Sequence, residues 1–254
     1  MDNLKQLERN NRILITGTSR TGKSWLKDWT IKKYDKLNKR RFFVAIDDNI
    51  NNCRALIDRG FQVEEIDRNN IFYEYDYRNF LLDNEKVVFI LNDLVDEEIA
   101  EFIGKITNII WTLGDTLFVI DEAWQYINKY TNPKPLIRVI RGGAKVGIDT
   151  MIISHRLQDI PTQVISLLNT IISFRLVEDN TIQKIKQYYN QFTLLDNKHL
   201  IDNDLKKSQK KKCKDIIKSS DITQILRNLP NRYFLYSDTV EGIQEITSSN
   251  NLQI

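Results

Sequence analysis

Gly17-Thr18-Ser19-Arg20-Thr21-Gly22-Lys23-Ser24 decides the fold. It satisfies G-x-x-x-x-G-K-[ST] at every fixed position, and each position has a physical reason. The glycines let backbone N–H groups curl around a phosphate with no Cβ in the way. A helix beginning at the end of the loop directs its positive pole at the same anion. Lys23 is expected to reach the outer phosphates of a nucleoside triphosphate, and the Ser24 hydroxyl to ligate Mg2+. The flanks agree with this reading. Ile13-Leu14-Ile15-Thr16 is a short β-branched run ending at glycine, which predicts a buried strand. After Ser24, Trp25, Leu26, Trp29 and Ile31 recur at helical spacing to about Tyr34. Trp25 and Trp29, four apart, are expected in the core.

Working outward, the same alternation continues. Strands are predicted at Phe42–Ile46, Gln62–Ile66, Lys86–Leu91, Leu117–Ile120, Thr150–Ser154 and Thr170–Leu176. Helices are predicted at Cys53–Arg59, Asp96–Trp111, from Ala123 to near Pro133, at Leu136–Ala144, within Leu157–Leu168, and at Thr181–Tyr189. This α/β order implies a doubly wound, mostly parallel sheet with helices on both faces. A single domain over residues 1–254 is expected, with a core of about 11–178 and a C-terminal extension of 179–254. The extension holds a lysine-rich stretch, 206–214, and a final strand at Tyr233–Tyr236.

Composition limits the alternatives. A chain of 254 residues with ordinary apolar and charged fractions can bury a substantial core. A net charge of +3 is compatible with a nucleic-acid partner without requiring one. Two distant cysteines and two histidines do not make a zinc site. No apolar run reaches the roughly 20 residues of a membrane span, and the charged amino terminus has no signal core. A cytoplasmic protein without membrane insertion is expected, in the host cytoplasm if the chain is viral.

Leu117-Phe118-Val119-Ile120-Asp121-Glu122 places two acids at the tip of a wholly apolar strand. In a phosphate-loop protein such a pair divides two tasks. Asp121 is expected to hold Mg2+ through water, and Glu122 to polarise the attacking water as general base. The rival acids, Asp47-Asp48 and Asp93, do not follow so apolar a strand with consecutive Asp-Glu.

Downstream come Arg141-Gly142-Gly143-Ala144-Lys145-Val146-Gly147-Ile148 and a strand ending in Ser154-His155-Arg156. From about Ile13 to Leu176 the chain resembles the HerA–FtsK superfamily of DNA-pumping ATPases, which includes viral genome-packaging ATPases. That family carries an R-x-G-R-K-x-G-[IV] segment and then a strand with a Thr-Gln-Arg-Pro-like sensor. The resemblance implies a RecA-like P-loop NTPase fold, ATP and Mg2+ as ligands, and a homo-oligomeric ring, often a hexamer. It also implies double-stranded DNA as partner, with a portal, capsid or pore protein beside it. An arginine of one subunit would reach its neighbour's γ-phosphate; Arg141 is the first choice and Arg138 the second. His155 stands at the sensor glutamine, and Ala144 replaces the segment's second arginine. Arg175 is a further phosphate-sensing candidate. Lys206–Lys214, more simply a solvated loop, could also contact a DNA backbone, and Asn132-Pro133-Lys134-Pro135 is a further candidate DNA contact.

The expected activity is therefore ATP hydrolysis coupled to duplex DNA movement, most simply genome packaging. The alternatives are a virion-assembly or extrusion ATPase resembling the zonula-occludens-toxin-like proteins, and a nucleotide-dependent protein switch that moves no DNA.

Overall fold

A computed structural model describes residues 11–69, 71, 76–128, 130, 133–189 and 222–238, and the backbone of 243–248. Nine strands form one sheet: β1 (Arg12–Thr16), β2 (Phe42–Asp47), β3 (Gln62–Ile66), β4 (Lys86–Leu91), β5 (Thr116–Ile120), β6 (Ile148–Ser154), β7 (Thr170–Ser173), β8 (Tyr233–Asp238) and β9 (Ile243–Ser248). Their order is β3-β4-β2-β5-β6-β1-β7-β8-β9. The pairings from β3 to β7 are all parallel, and β8 and β9 add on antiparallel.

The described helices are α1 (Lys23–Lys36), α2 (Arg54–Ile57), α3 (Tyr77–Asp83), α4 (Asp96–Leu113), α5 (Lys134–Gly142), α6 (Thr162–Ile165), α7 (Asp179–Tyr189) and α8 (Ile222–Asn228). They cover both faces, because strand side chains alternate. Ile13 and Ile15 of β1 pack with Leu26 and Trp29 of α1 on one face. Leu14 faces the other way, into the larger cluster that holds Phe102, Ile103, Ile106 and Ile110 of α4, Val139 of α5 and Ile185 of α7. Each of these fully buried side chains contributes about 1.5–3 kcal/mol. That burial keeps β1, β6 and β5 side by side.

Several expectations change. No long helix starts at Ala123. Ala123–Gln125 is a single 3-10 turn, and Ala123, Tyr126 and Ile127 bury together so that the chain dives into the core. The helical spacing there is real but lasts one turn. Helix α5 begins at Lys134, earlier than Leu136, because Pro135 in its first turn lacks only an N–H that would have no partner anyway. The helix ends at Gly142, and a 3-10 turn at Gly143–Val146 leads to Gly147 and β6, which begins two residues sooner than expected. Strand β7 stops at Ser173, and the following residues bend over the phosphate loop, with Thr18 N–H donating to Arg175 O at 2.9 Å. Residues 206–214 and Asn132 lie outside the described residues. Among the described residues no helix is long and apolar enough to cross a membrane.

Candidate functional site

The loop Gly17–Ser24 joins the C-terminal end of β1 to the N-terminus of α1. Gly17 and Gly22 adopt φ of 153° and 121°. Phe174 enforces them: a Cβ on Gly17 would come within 2.6 Å of Phe174 Cβ, and one on Gly22 within 3.0 Å of its ring. Thr21 closes the curl from inside, donating to Thr18 O at 2.8 Å. Ser19 and Arg20 are exposed at the tip, and the Ser24 residue is open to solvent. The Lys23 ammonium donates to Gly17 O at 2.9 Å and Thr18 O at 3.0 Å, so it lies across the cradle it would share with a phosphate. Burial lowers its pKa, and the charges of Glu122 and Asp121 act in the opposite sense. The two halves of the expected site therefore sense each other electrostatically.

Strand order explains how. β6 lies between β1 and β5, and all three point the same way. Thr16 is level with Ser154, and Ile120 with Ile152. The phosphate loop, His155 and Asp121-Glu122 thus emerge from one edge of the sheet, at neighbouring tips. Glu122 adopts a left-handed backbone conformation, φ 45° and ψ 43°, which turns the chain back at the strand end. Its Oε2 lies 2.6 Å from His155 Nδ1 and accepts from Trp124 Nε1 at 3.0 Å. Trp124 in turn meets the His155 ring edge-on at 5.8 Å and carries the Arg156 guanidinium 4.5 Å above its own ring. Sequence reasoning named Glu122 and His155 separately; the fold makes them a pair, with Trp124 as an unforeseen second donor.

A second group was missed altogether. Lys27, one turn beyond Lys23 on α1, is 1% exposed and places Nζ 2.7 Å from Asp121 Oδ2 and 3.2 Å from Asp47 Oδ2. Asp47 ends β2, the strand beside β5, and Asp121 N–H donates to Ile46 O, so the two carboxylates are neighbours. Burial alone lowers a lysine, but Asp121 and Asp47 outweigh it and hold Lys27 firmly charged. The i, i+4 spacing from Lys23 was the available signal. The other Asp121 oxygen, Oδ1, accepts the Glu122 N–H at 2.9 Å. Asp47, read as a rival to Asp121, is instead its companion.

The remaining candidates lie elsewhere. Arg141 is exposed in the last turn of α5, and the turn after it leads to the start of β6, at the sheet edge opposite the phosphate loop. It lines a cavity of about 510 Å³ with Lys134, Arg138, Lys145, Gln163 and Trp111, and no acid is among the lining residues. Arg138 is stacked over Trp111 at 4.1 Å. Arg175 places its carbonyl on Thr18, while its Nε is buried with no hydrogen-bond partner among the described residues. Trp29 is buried as expected; Trp25 is not, being 44% exposed.

No family model matches the chain, and no curated protein matches it in sequence. Solved structures do match. The genome packaging NTPase B204 from Sulfolobus turreted icosahedral virus 2, in complex with ATP-gammaS, superposes with a TM-score of 0.63 at 15% identity, over 94% of this chain and 97% of that one. B204 from Sulfolobus turreted icosahedral virus, described as a DNA-packaging ATPase, gives 0.59 at 16% identity, over 95% and 98%. VirB4 of Thermoanaerobacter pseudethanolicus gives 0.58 at 10%, over 90% and 86%. At these identities it is the fold that is shared. The chain has the RecA-like P-loop NTPase fold, and nearly its whole length is used in that likeness.

Proposed function

We propose that this chain is an ATPase that couples hydrolysis to the movement of double-stranded DNA, as a genome-packaging motor. The observation that carries the hydrolytic half is the meeting of Gly17–Ser24, Asp121-Glu122 and His155 at three neighbouring strand tips. Gly17 through Ser24 cradle the phosphates, and Lys23 neutralises the charge that grows during phosphoryl transfer. Glu122 accepts a proton from the attacking water, with Oε2 steadied by Trp124 and His155 and Oε1 left for the water.

The residues present suit a hydrated magnesium ion. Among the described residues no group of three or more His, Cys, Asp or Glu side chains could hold a metal unaided, so phosphate and water must complete its shell. Ser24 would supply its hydroxyl. Asp121 already bonds Lys27 and Glu122 N–H, and its remaining lone pairs suit contact through water better than a direct bond. The ion would supply charge stabilisation for the phosphoryl oxygens.

DNA movement is favoured by the likeness to two packaging ATPases and by the basic cavity around Arg141. Arg141 lies at the far edge of the sheet from its own loop, so a role in catalysis calls for a neighbouring subunit, as the proposed ring would supply. The test is ATP turnover with and without long duplex DNA across low and moderate salt, with particle mass measured in parallel. Stimulation by duplex together with a ring is the expected result. Turnover indifferent to DNA would leave an ATPase and remove the motor.

A further inference from the structure

We infer that Trp25 is the platform on which the purine base of the bound nucleotide stacks; this rests on the ATPase reading above and extends it from the phosphates to the base. Helix α1 leaves its first amides without intrahelical acceptors, and the first N–H to find one is Leu26, which donates to Gly22 O at 3.0 Å. The N–H groups of Lys23, Ser24 and Trp25 are therefore directed at the anion. Lys23 and Ser24 serve the outer phosphates and the metal ion. Trp25, the last of the three, is left for the innermost phosphate, the one that carries the nucleoside. The nucleoside must accordingly leave the loop beside Trp25.

The side chain at that exit suits the task. Helical side chains lean toward the N-terminus, so the Trp25 ring leans toward the phosphate loop. Trp29, one turn on, backs it in a stacked arrangement, with centroids 6.5 Å apart and planes 19° from parallel. Lys33 lies 5.3 Å over the Trp29 ring and extends the column. Trp29 is buried, so it cannot swing away, and Trp25 is supported by it while remaining substantially exposed. A large apolar ring kept 44% exposed at the start of α1, directly after the phosphate loop, is explained if a flat base covers it. Aromatic stacking accepts any base, yet purines offer the larger face, so the platform favours ATP and GTP over CTP and UTP.

The experiment compares Kd for Mg2+–ATP, Mg2+–CTP and Mg2+–tripolyphosphate in the wild type, Trp25→Ala and Trp25→Phe, with thermal melts and particle mass recorded for each. Loss of a base–aromatic stack should weaken ATP by about ten-fold or more in Trp25→Ala. Tripolyphosphate, which has no base, should bind as before. The purine preference should shrink in Trp25→Ala, and Trp25→Phe should restore most of the ATP affinity. Unchanged ATP affinity in Trp25→Ala overturns the inference. So does equal weakening of ATP and tripolyphosphate, which would make the ring a support for the loop, and so does a loss of affinity that follows a change in particle mass. A wild type that binds neither ATP nor tripolyphosphate would instead sink the ATPase reading itself.

Discussion

Glu122 and His155 face each other from the tips of adjacent strands, Oε2 to Nδ1 at 2.6 Å, with Trp124 Nε1 on the same carboxylate oxygen at 3.0 Å. A general base fixed through one oxygen keeps the other in a constant place, which is what water activation requires. Glu122→Gln should retain ATP binding and lower kcat by about 10²–10⁴-fold. Single-turnover hydrolysis beside equilibrium binding separates the two; full turnover in the variant would move the base elsewhere. His155→Gln keeps a side-chain donor and should retain more activity than His155→Ala.

Lys27 should matter to stability as well as to chemistry. Removing a charge from a buried cluster leaves its partners uncompensated, at a cost of roughly 3–5 kcal/mol. Lys27→Met is therefore expected to lower the denaturation midpoint strongly. Adding Asp47→Asn should recover part of the loss, because one of the two stranded carboxylates is then neutral. Chemical denaturation of the single and double variants reads the coupling directly.

The two loop glycines should respond differently to relief. Gly17→Ala sets its new Cβ against Phe174 Cβ at 2.6 Å, an atom that Phe174→Ala retains, so the double variant should remain defective. Gly22→Ala meets the Phe174 ring, and Phe174→Ala should relieve that contact while leaving the strain of φ 121°. Nucleotide affinity across the four variants is the measurement, and equal rescue of both glycine variants would contradict the geometry.

Arg141 is exposed at the far edge of the sheet, and the proposed catalytic role would be exercised on a neighbouring subunit. Mixing Arg141→Ala with Lys23→Ala subunits, each inactive alone, should restore turnover wherever a Lys23→Ala subunit supplies its arginine to an intact neighbouring loop. No recovery in mixed particles would contradict action in trans. Arg138, already stacked on Trp111, should have the smaller effect when replaced.

Burial pushes the Cys53 thiol well above its ordinary range, with Asp47 adding to the effect. The nucleophile is the thiolate, so Cys53 should resist alkylation at neutral pH until the chain unfolds. Mass-spectrometric mapping with and without denaturant checks this, and rapid labelling of the native protein would contradict its burial.

Much of the fold was legible because its signals are local. Apolar runs such as Leu117–Ile120 and Lys86–Leu91 carry the strand pattern of a sheet buried on both faces, and α4 shows its helical stripe over its whole length. The false helix at Ala123 shows the limit. One turn of apolar spacing is the same whether the chain continues as a helix or folds inward, and only packing of Tyr126 and Ile127 chose. Trp25 and Trp29 share a helical face, and their spacing could not tell which of the two the sheet would cover.

By itself the sequence determined that Gly17–Ser24 can curl around a phosphate and that Asp121-Glu122 ends a buried strand, since both depend on residues adjacent in the chain. The tertiary structure decided which distant residues complete them. Placing β6 between β1 and β5 brought His155 to Glu122, and placing β2 beside β5 brought Asp47 to Asp121 and required Lys27 between them. Strand order follows from burial summed over the whole sheet, a quantity that no local stretch of residues carries.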